Sequence, residues 1–147
     1  MKQPVIGVYV RGGRVFTEIV PDTNKPTLQR LIRGRIALEA TVVSDGWRGY
    51  DGLMDVGYDR HLRIKKARPK KFSDNGVHIN GIESFWALLK RGHYGIFHYM
   101  SAKHLHRYIN EFAFRHNTAQ AGTMGFIDQT IGRMIGKRLT YKGLINA

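Results

Sequence analysis

The sequence predicts one mixed α/β domain in which strands come first and helices follow. Two β-rich runs separated by Gly12-Gly13 open the chain, a single helical pattern comes before the next strand, and amphipathic helical patterns fill the second half. This order is typical of a layered α/β fold with one crossover helix. At 147 residues the chain has the length of one domain and can bury a substantial core.

The charge balance indicates a polyanionic partner. Lys and Arg number 24 against 11 Asp and Glu, a formal net charge of +13, which favours nucleic acid over a membrane or an acidic protein. The lack of cysteine excludes a disulfide scaffold and a cysteine-based zinc site. The apolar runs are too short to span a bilayer, and the start has no signal-peptide pattern. We therefore expect a cytoplasmic protein without a membrane partner.

The first half of the chain predicts a hairpin, a helix and a short strand. Residues 4–20 form the hairpin, because Gly-Gly between two β-rich runs is a strong turn signal. Asn24 is a plausible cap and Pro26 fits the first turn of the helix that follows. We expect a short strand at 40–43, which has apolar residues at consecutive positions (Val42 and Val43), as strands buried on both faces do, and which leads into Ser44 and Asp45.

The rest of the chain predicts short elements and then three helices, each with an apolar face at helical spacing. In chain order we expect a short helix or loop at 47–56, a strand at 61–64, a basic loop at 65–71, a helix at 77–91, a Gly/aromatic connection at 92–100, a helix at 101–115 that Ser101 caps, and a last helix at 124–136.

Two acidic residues lie in unusual places. Asp45 ends a strand, where open α/β sheets place ligands, and Glu83 lies in an apolar-flanked helix. On that helix Asn80, Glu83 and Lys90 share a polar stripe apart from the apolar face. Carboxylates from two elements could hold the paired Mg²⁺ ions of phosphoryl transfer, with Lys90 on a phosphate. The alternatives are a turn role for Asp45 and a solvated Glu83–Lys90 face.

Two segments resemble bacterial insertion-sequence DDE transposases of the ISXO-like subgroup. VVSDGWRGY at 42–50 is similar to the strand that carries the family's second acid, and HINGIESFWALLKR at 78–91 is similar to its third-acid helix. The segment at 97–117 and the tail KRLTY at 137–141 also fit the subgroup.

The resemblance implies a ribonuclease-H-like fold and cleavage of transposon ends with strand transfer into target DNA, using Mg²⁺ or Mn²⁺. By position Asp45 and Glu83 would be catalytic metal ligands, and Lys90 the associated lysine. It also implies a homo-oligomer in the active complex and a place in the bacterial nucleoid.

The family's first catalytic Asp lies upstream of the segment that matches residues 4–10, on the central strand of a ribonuclease-H-like sheet. We therefore expect 1–147 to be an N-terminally truncated catalytic domain that lacks this strand and is inactive in strand transfer by itself. Asp22 reads as a turn residue and is a poor substitute.

Further residues are expected to contact DNA or support the site. The expected DNA contacts are Lys65, Lys66, Arg68, Lys70, Lys71 and Arg91, and the supporting residues are His78, Asn80 and Trp86. Trp47 and Trp86 are expected to be core or groove-wall residues, and stacking of Trp86 on a DNA base is the alternative. Two alternatives to a transposase stay open: a non-catalytic basic DNA-binding fragment, and a nuclease of the same fold.

Overall fold

A computed structural model describes residues 3–64, 73–74 and 76–146, and in it the chain begins with the predicted hairpin. Strands β1 (Val5–Val10) and β2 (Arg14–Ile19) pair antiparallel, with Tyr9 opposite Val15. Gly12 and Gly13 make the turn with φ values of +102° and +122°. Glycine reaches this left-handed region without steric cost, so the Gly-Gly pair fixes where the hairpin reverses.

Helices cover both faces of the hairpin. Helix α1 (Lys25–Arg35) lies on one face, where Leu28 packs against Ile6 and Val20. On the other face Val15 packs with Phe85 and Phe112, which belong to two later helices. Because successive strand residues point to opposite faces, the hairpin separates two apolar clusters.

The start of α1 follows the prediction only in part. Pro26 lies in the first turn, whereas Asn24 makes no side-chain cap hydrogen bond. Instead the Asn24 N–H donates to Asp22 Oδ1 at 2.9 Å. Asp22 is therefore a turn residue, as the sequence predicts.

A second ribbon is formed by β3 (Val42–Asp45) and β4 (His61–Ile64), which pair parallel with Asp45 beside Ile64. Val42 packs against Ile32 of α1, so α1 contacts both ribbons. The prediction that this strand is buried on both faces is wrong. Val42 and Ser44 are buried while Val43 and Asp45 are half-buried, so only one face meets the core.

The remaining elements are mostly helical. In chain order they are β5 (Ser73–Asp74), β6 (Val77–His78), α2 (Asn80–Gly92), α3 (Leu105–Thr118), α4 (Gly122–Met134) and α5 (Tyr141–Asn146). The strands β5 and β6 pair antiparallel, so 77–78 are not helical as predicted. Residues 48–50 and 54–56 form 3₁₀ turns, and 93–97 continue α2 as a π-helical turn.

The predicted start of the helix at 101–115 needs correction. Ser101 does not cap α3, because its hydroxyl and carbonyl both accept the His104 N–H in a turn before the helix begins. Helix α5 was not expected from the sequence. The 124–136 prediction is confirmed within two residues by α4.

The strands of the described part form three separate two-stranded sheets within a mixed α/β arrangement. Within 3–64, 73–74 and 76–146, β1 pairs only with β2 and β3 only with β4. None of the helices described there has the length and apolarity needed to cross a membrane.

Candidate functional site

Asp45 ends β3 at the start of a tight turn. The Trp47 N–H donates to Asp45 Oδ1 at 3.0 Å, an arrangement in which an aspartate side chain mimics a backbone turn. Asp45 is half-buried, while Trp47 is 52% exposed and so is not a core residue. This geometry fixes the carboxylate at the end of the strand, where the sequence predicts a ligand.

The buried Ser44 hydroxyl and the His61 ring connect β3 to β4 next to Asp45. Ser44 Oγ lies 2.8 Å from His61 Nε2 and donates to the Asp45 carbonyl at 3.0 Å. This pair was not predicted, because nothing in the sequence pattern indicates that Ser44 and His61 meet across a parallel ribbon.

An ion pair and a hydrogen bond connect β4 to residues 47–51, which follow Asp45. Arg63 on β4 pairs with Asp51 and also donates to the Trp47 carbonyl at 3.3 Å. The pair is roughly half exposed, so its value for stability is small, and its effect is to hold residues 47–51 against β4.

Two pKa values report the electrostatics around this strand end. Burial raises the pKa of the Tyr50 phenol, and the nearby Asp45 carboxylate raises it further. Burial and the Arg63 charge lower the pKa of His61, against a smaller opposite effect of Asp51. Asp45 therefore acts electrostatically on a half-buried neighbour.

Helix α2 presents the polar stripe and the packing face that the sequence predicts. Phe85 is fully buried and Ile82 packs with it in the same cluster. Asn80 and Lys90 are exposed, and Glu83 in the first turn is half-buried. Negative charge in a first turn is favourable, since the helix dipole is positive there.

The helix start lies against the hairpin. A Cβ added to Gly7 would lie 2.6 Å from Trp86 Cζ2, so the indole covers the backbone of β1. Trp86 also meets Phe85 edge-to-face with ring centroids 5.2 Å apart. Of the two alternatives for Trp86, this packing favours the core role over stacking on a base.

The other predicted residues lie on exposed parts of α2 and the strand before it. His78 is exposed on β6, directly before α2, and Arg91 is exposed beside Lys90 in the last turn of the helix. Strand β6 contacts β4, which pairs with the strand of Asp45. The convergence of Asp45 with Glu83 stays a prediction.

The predicted basic contacts at 65–71 lie outside the described residues. Within the described ranges, no three His, Asp or Glu side chains are grouped so that they could hold a metal ion.

Comparison with known proteins gives a family and a relative. A family model described as the ISXO2-like transposase domain matches residues 1–117. An uncharacterized transposase-like protein of Haemophilus influenzae is 33% identical over 107 residues, which cover 73% of this chain and 84% of that protein. No solved structure matches the chain. The family match ends inside α3, so α4 and α5 lie beyond it.

Proposed function

The chain belongs to the ISXO2-like transposase family, and from that premise we propose that it is the catalytic part of a DDE-type transposase. In this proposal it cuts transposon ends in DNA and joins them to target DNA. The observation that carries the proposal is that the family match spans both Asp45 and Glu83, each half-buried at the end of a strand or the start of a helix. Carboxylates so placed keep access to solvent ions while their backbone is fixed.

Asp45 and Glu83 provide the oxygen ligands that Mg²⁺ and Mn²⁺ prefer. Together with a third ligand from outside the described residues they would hold the metal. When bound, the metal stabilises the charge that develops on the transferring phosphate. The turn at Trp47 and the Ser44–His61 contact then serve to hold Asp45 in one position.

The exposed polar residues of α2 suit a DNA strand that passes the carboxylates. Lys90 and Arg91 lie exposed in the last turn of α2, and each would bind a backbone phosphate. His78 and Asn80 border the first turn that carries Glu83 and would orient the same strand. The net charge of +13 would attract DNA of any sequence.

We also propose a ribonuclease-H-like sheet that is completed by one more strand. Both ribbons pack against α1, yet β1 and β3 each pair on one side only within the described ranges. A strand between them would join the ribbons into one sheet and satisfy backbone groups on both edges. In the resembling family that strand bears the first catalytic Asp, which would be the missing third ligand.

The test measures cleavage and joining of labelled DNA that carries the ends of the parent element, with Mg²⁺ or Mn²⁺ added. We compare this chain with the same chain fused behind a family-type first strand that contains its aspartate. The fusion is expected to cut and join, and Asp45→Asn or Glu83→Gln in it to lower the rate at least about 100-fold, consistent with loss of a major charge-stabilising group. Asp59→Asn, an exposed control, is expected to keep the activity.

The outcomes separate the alternatives. DNA binding without metal-dependent cleavage by the fusion would favour a non-catalytic basic fragment, which the net charge supports. Hydrolysis without joining of a 3′ end would favour a nuclease. Full activity in the Asp45→Asn variant would refute the proposed site.

A further inference from the structure

The turn that follows α2 exposes two tyrosines. Residues 93–97 continue α2 as a π-helical turn, and we call residues 93–99 the aromatic turn. Tyr94 is 74% exposed and Tyr99 is 75% exposed, with Ile96 between them at 69%. Single exposed apolar residues are common on protein surfaces, whereas three within six positions form a patch that is typical of a binding surface.

The aromatic turn is anchored to α3 on its inner side. Phe97 is half-buried, and its ring meets the Tyr108 and Phe112 rings with centroids 4.8 Å and 6.3 Å apart. The His93 ring meets Tyr94 edge-to-face, with the two centroids 5.0 Å apart. These contacts hold the turn in place while both exposed tyrosines stay open to solvent.

The backbone of the aromatic turn is strained. His98 has φ +54° and ψ −31°, which lies outside the regions that residues with a Cβ normally adopt. The His98 N–H donates to the His93 carbonyl at 2.6 Å, and the Tyr99 N–H donates to the Phe97 carbonyl at 2.5 Å. Strained residues and π-helical turns both concentrate at functional sites. The strain therefore points to a use for the side chains that this turn presents.

The charge around the aromatic turn is complementary to a polyanion. From residue 84 to residue 110 the chain has no Asp or Glu and four Lys or Arg residues. Two of them, Lys90 and Arg91, are exposed in the last turn of α2, directly before the aromatic turn. An apolar protein surface would gain nothing from these charges, whereas a nucleic acid strand offers phosphates to the cations and bases to the rings.

We propose that the aromatic turn binds unpaired DNA bases, with Tyr94 and Tyr99 stacking on the bases while Lys90 and Arg91 bind phosphates of the same strand. Every base has a π-face, so this stacking tolerates any sequence. Bases inside an intact duplex present only their edges, so the partner is a single strand or an opened end. The inference rests on the proposed function in taking DNA as the partner, but it requires neither the metal nor catalysis.

The experiment measures binding of labelled oligonucleotides to the full chain by fluorescence anisotropy, without a divalent metal ion. Three DNAs of equal length are compared: a single strand, the same strand in a blunt duplex, and a strand of abasic nucleotides. Tyr94→Ala and Tyr99→Ala should each raise the Kd for the single strand at least about 5-fold, the low end of the loss of one base–aromatic stack. The duplex and the abasic strand should bind these variants as they bind the unchanged chain.

Two matched controls separate the ring from the rest of the side chain. Tyr94→Phe and Tyr99→Phe keep the ring and should bind the single strand like the unchanged chain. Ile96→Ala shortens a similarly exposed side chain that has no ring, and it should also leave the Kd unchanged. The log–log salt slope should be the same in all variants, because it reports phosphate contacts.

The possible results distinguish this inference from the proposed function. Unchanged single-strand binding by both alanine variants, or an equal loss for the single strand and the abasic strand, would overturn the inference and leave the proposed function standing. A chain that binds none of the three DNAs would overturn both.

Discussion

The side-chain amide of Asn117 makes two hydrogen bonds with the backbone of Val15, a residue 102 positions earlier in the chain. The Val15 N–H donates to Asn117 Oδ1 at 2.7 Å, and Asn117 Nδ2 donates to the Val15 carbonyl at 2.9 Å. One side chain thus occupies the outer edge of β2 in the way that a neighbouring strand would. Helix α3 is tied to the hairpin at this point, which blocks that edge from pairing with another chain.

Asn117→Ala should lower the free energy of unfolding by about 1–3 kcal/mol, because two part-buried backbone groups lose their partner. Urea unfolding followed by circular dichroism gives the value. Asn110→Ala, an exposed position on the same helix, is the matched control and should change stability little. Equal changes in the free energy of unfolding for the two variants would mean that the Asn117–Val15 hydrogen bonds contribute nothing specific.

Gly7→Ala should destabilise the protein by about 1–3 kcal/mol, as overpacking of a filled core does. The added Cβ would lie 2.6 Å from Trp86 Cζ2 and 2.7 Å from Ile82 Cδ1, so α2 would have to move. Gly34→Ala is the control, because its Cβ meets nothing within 4 Å inside α1. There alanine should stabilise by about 0.5–1 kcal/mol. The overpacking explanation is refuted if Gly7→Ala and Gly34→Ala change the free energy of unfolding in the same direction.

Stability should fall as the pH drops below about 6.5, the usual His pKa, in part through His61. Its pKa is lowered in the folded protein, chiefly by burial, so below that pH the unfolded chain binds a proton that the folded protein resists. The free energy of unfolding therefore decreases as the pH is lowered through this window. His61→Gln should make the dependence between pH 7.5 and 5 shallower, as measured by urea unfolding at each pH. An unchanged pH slope would contradict the assignment.

Asp45→Asn should lower the pKa of Tyr50, because the carboxylate charge is the second cause of its rise. The pKa should stay above its ordinary value, since burial is the larger cause and remains. NMR of chains with ¹³Cζ-labelled tyrosine, assigned with Tyr50→Phe, follows this titration. Asp59→Asn serves as the control carboxamide. If both variants leave the pKa of Tyr50 unchanged, the Asp45 carboxylate does not lie close enough to act on it.

DNA binding should depend strongly on salt and weakly on sequence. If Lys65, Lys66, Arg68, Lys70 and Lys71 each contact a phosphate, the log–log salt slope should be about −4 to −5, from roughly −0.9 per phosphate. Neutralising all five should flatten the slope in fluorescence anisotropy titrations with duplex DNA. An unchanged slope would identify 65–71 as a solvated loop.

The sequence by itself determined the local elements and their chemistry. Gly12-Gly13 specifies the hairpin turn, and helical spacing specifies α1, α2 and α4, since these signals depend on residues close in the chain. The segments around Asp45 and Glu83 likewise sufficed to identify the family, which the comparisons confirm. The error at residues 40–43 has a physical cause: consecutive apolar residues do not reveal that only one face of β3 meets the core.

Tertiary structure decided which distant groups meet and which faces are covered. The contacts of Asn117 with Val15 and of Ser44 with His61 join residues whose polar character alone names no partner. The exposed apolar side of α4, with Met124, Ile127, Ile131 and Met134, makes the same point. Its periodicity predicts a helix with an apolar side, but only the packing of Phe126 on Phe114 turns that side outward. Periodicity records which residues share a face, whereas the neighbour of that face is set by contacts between segments far apart in the chain.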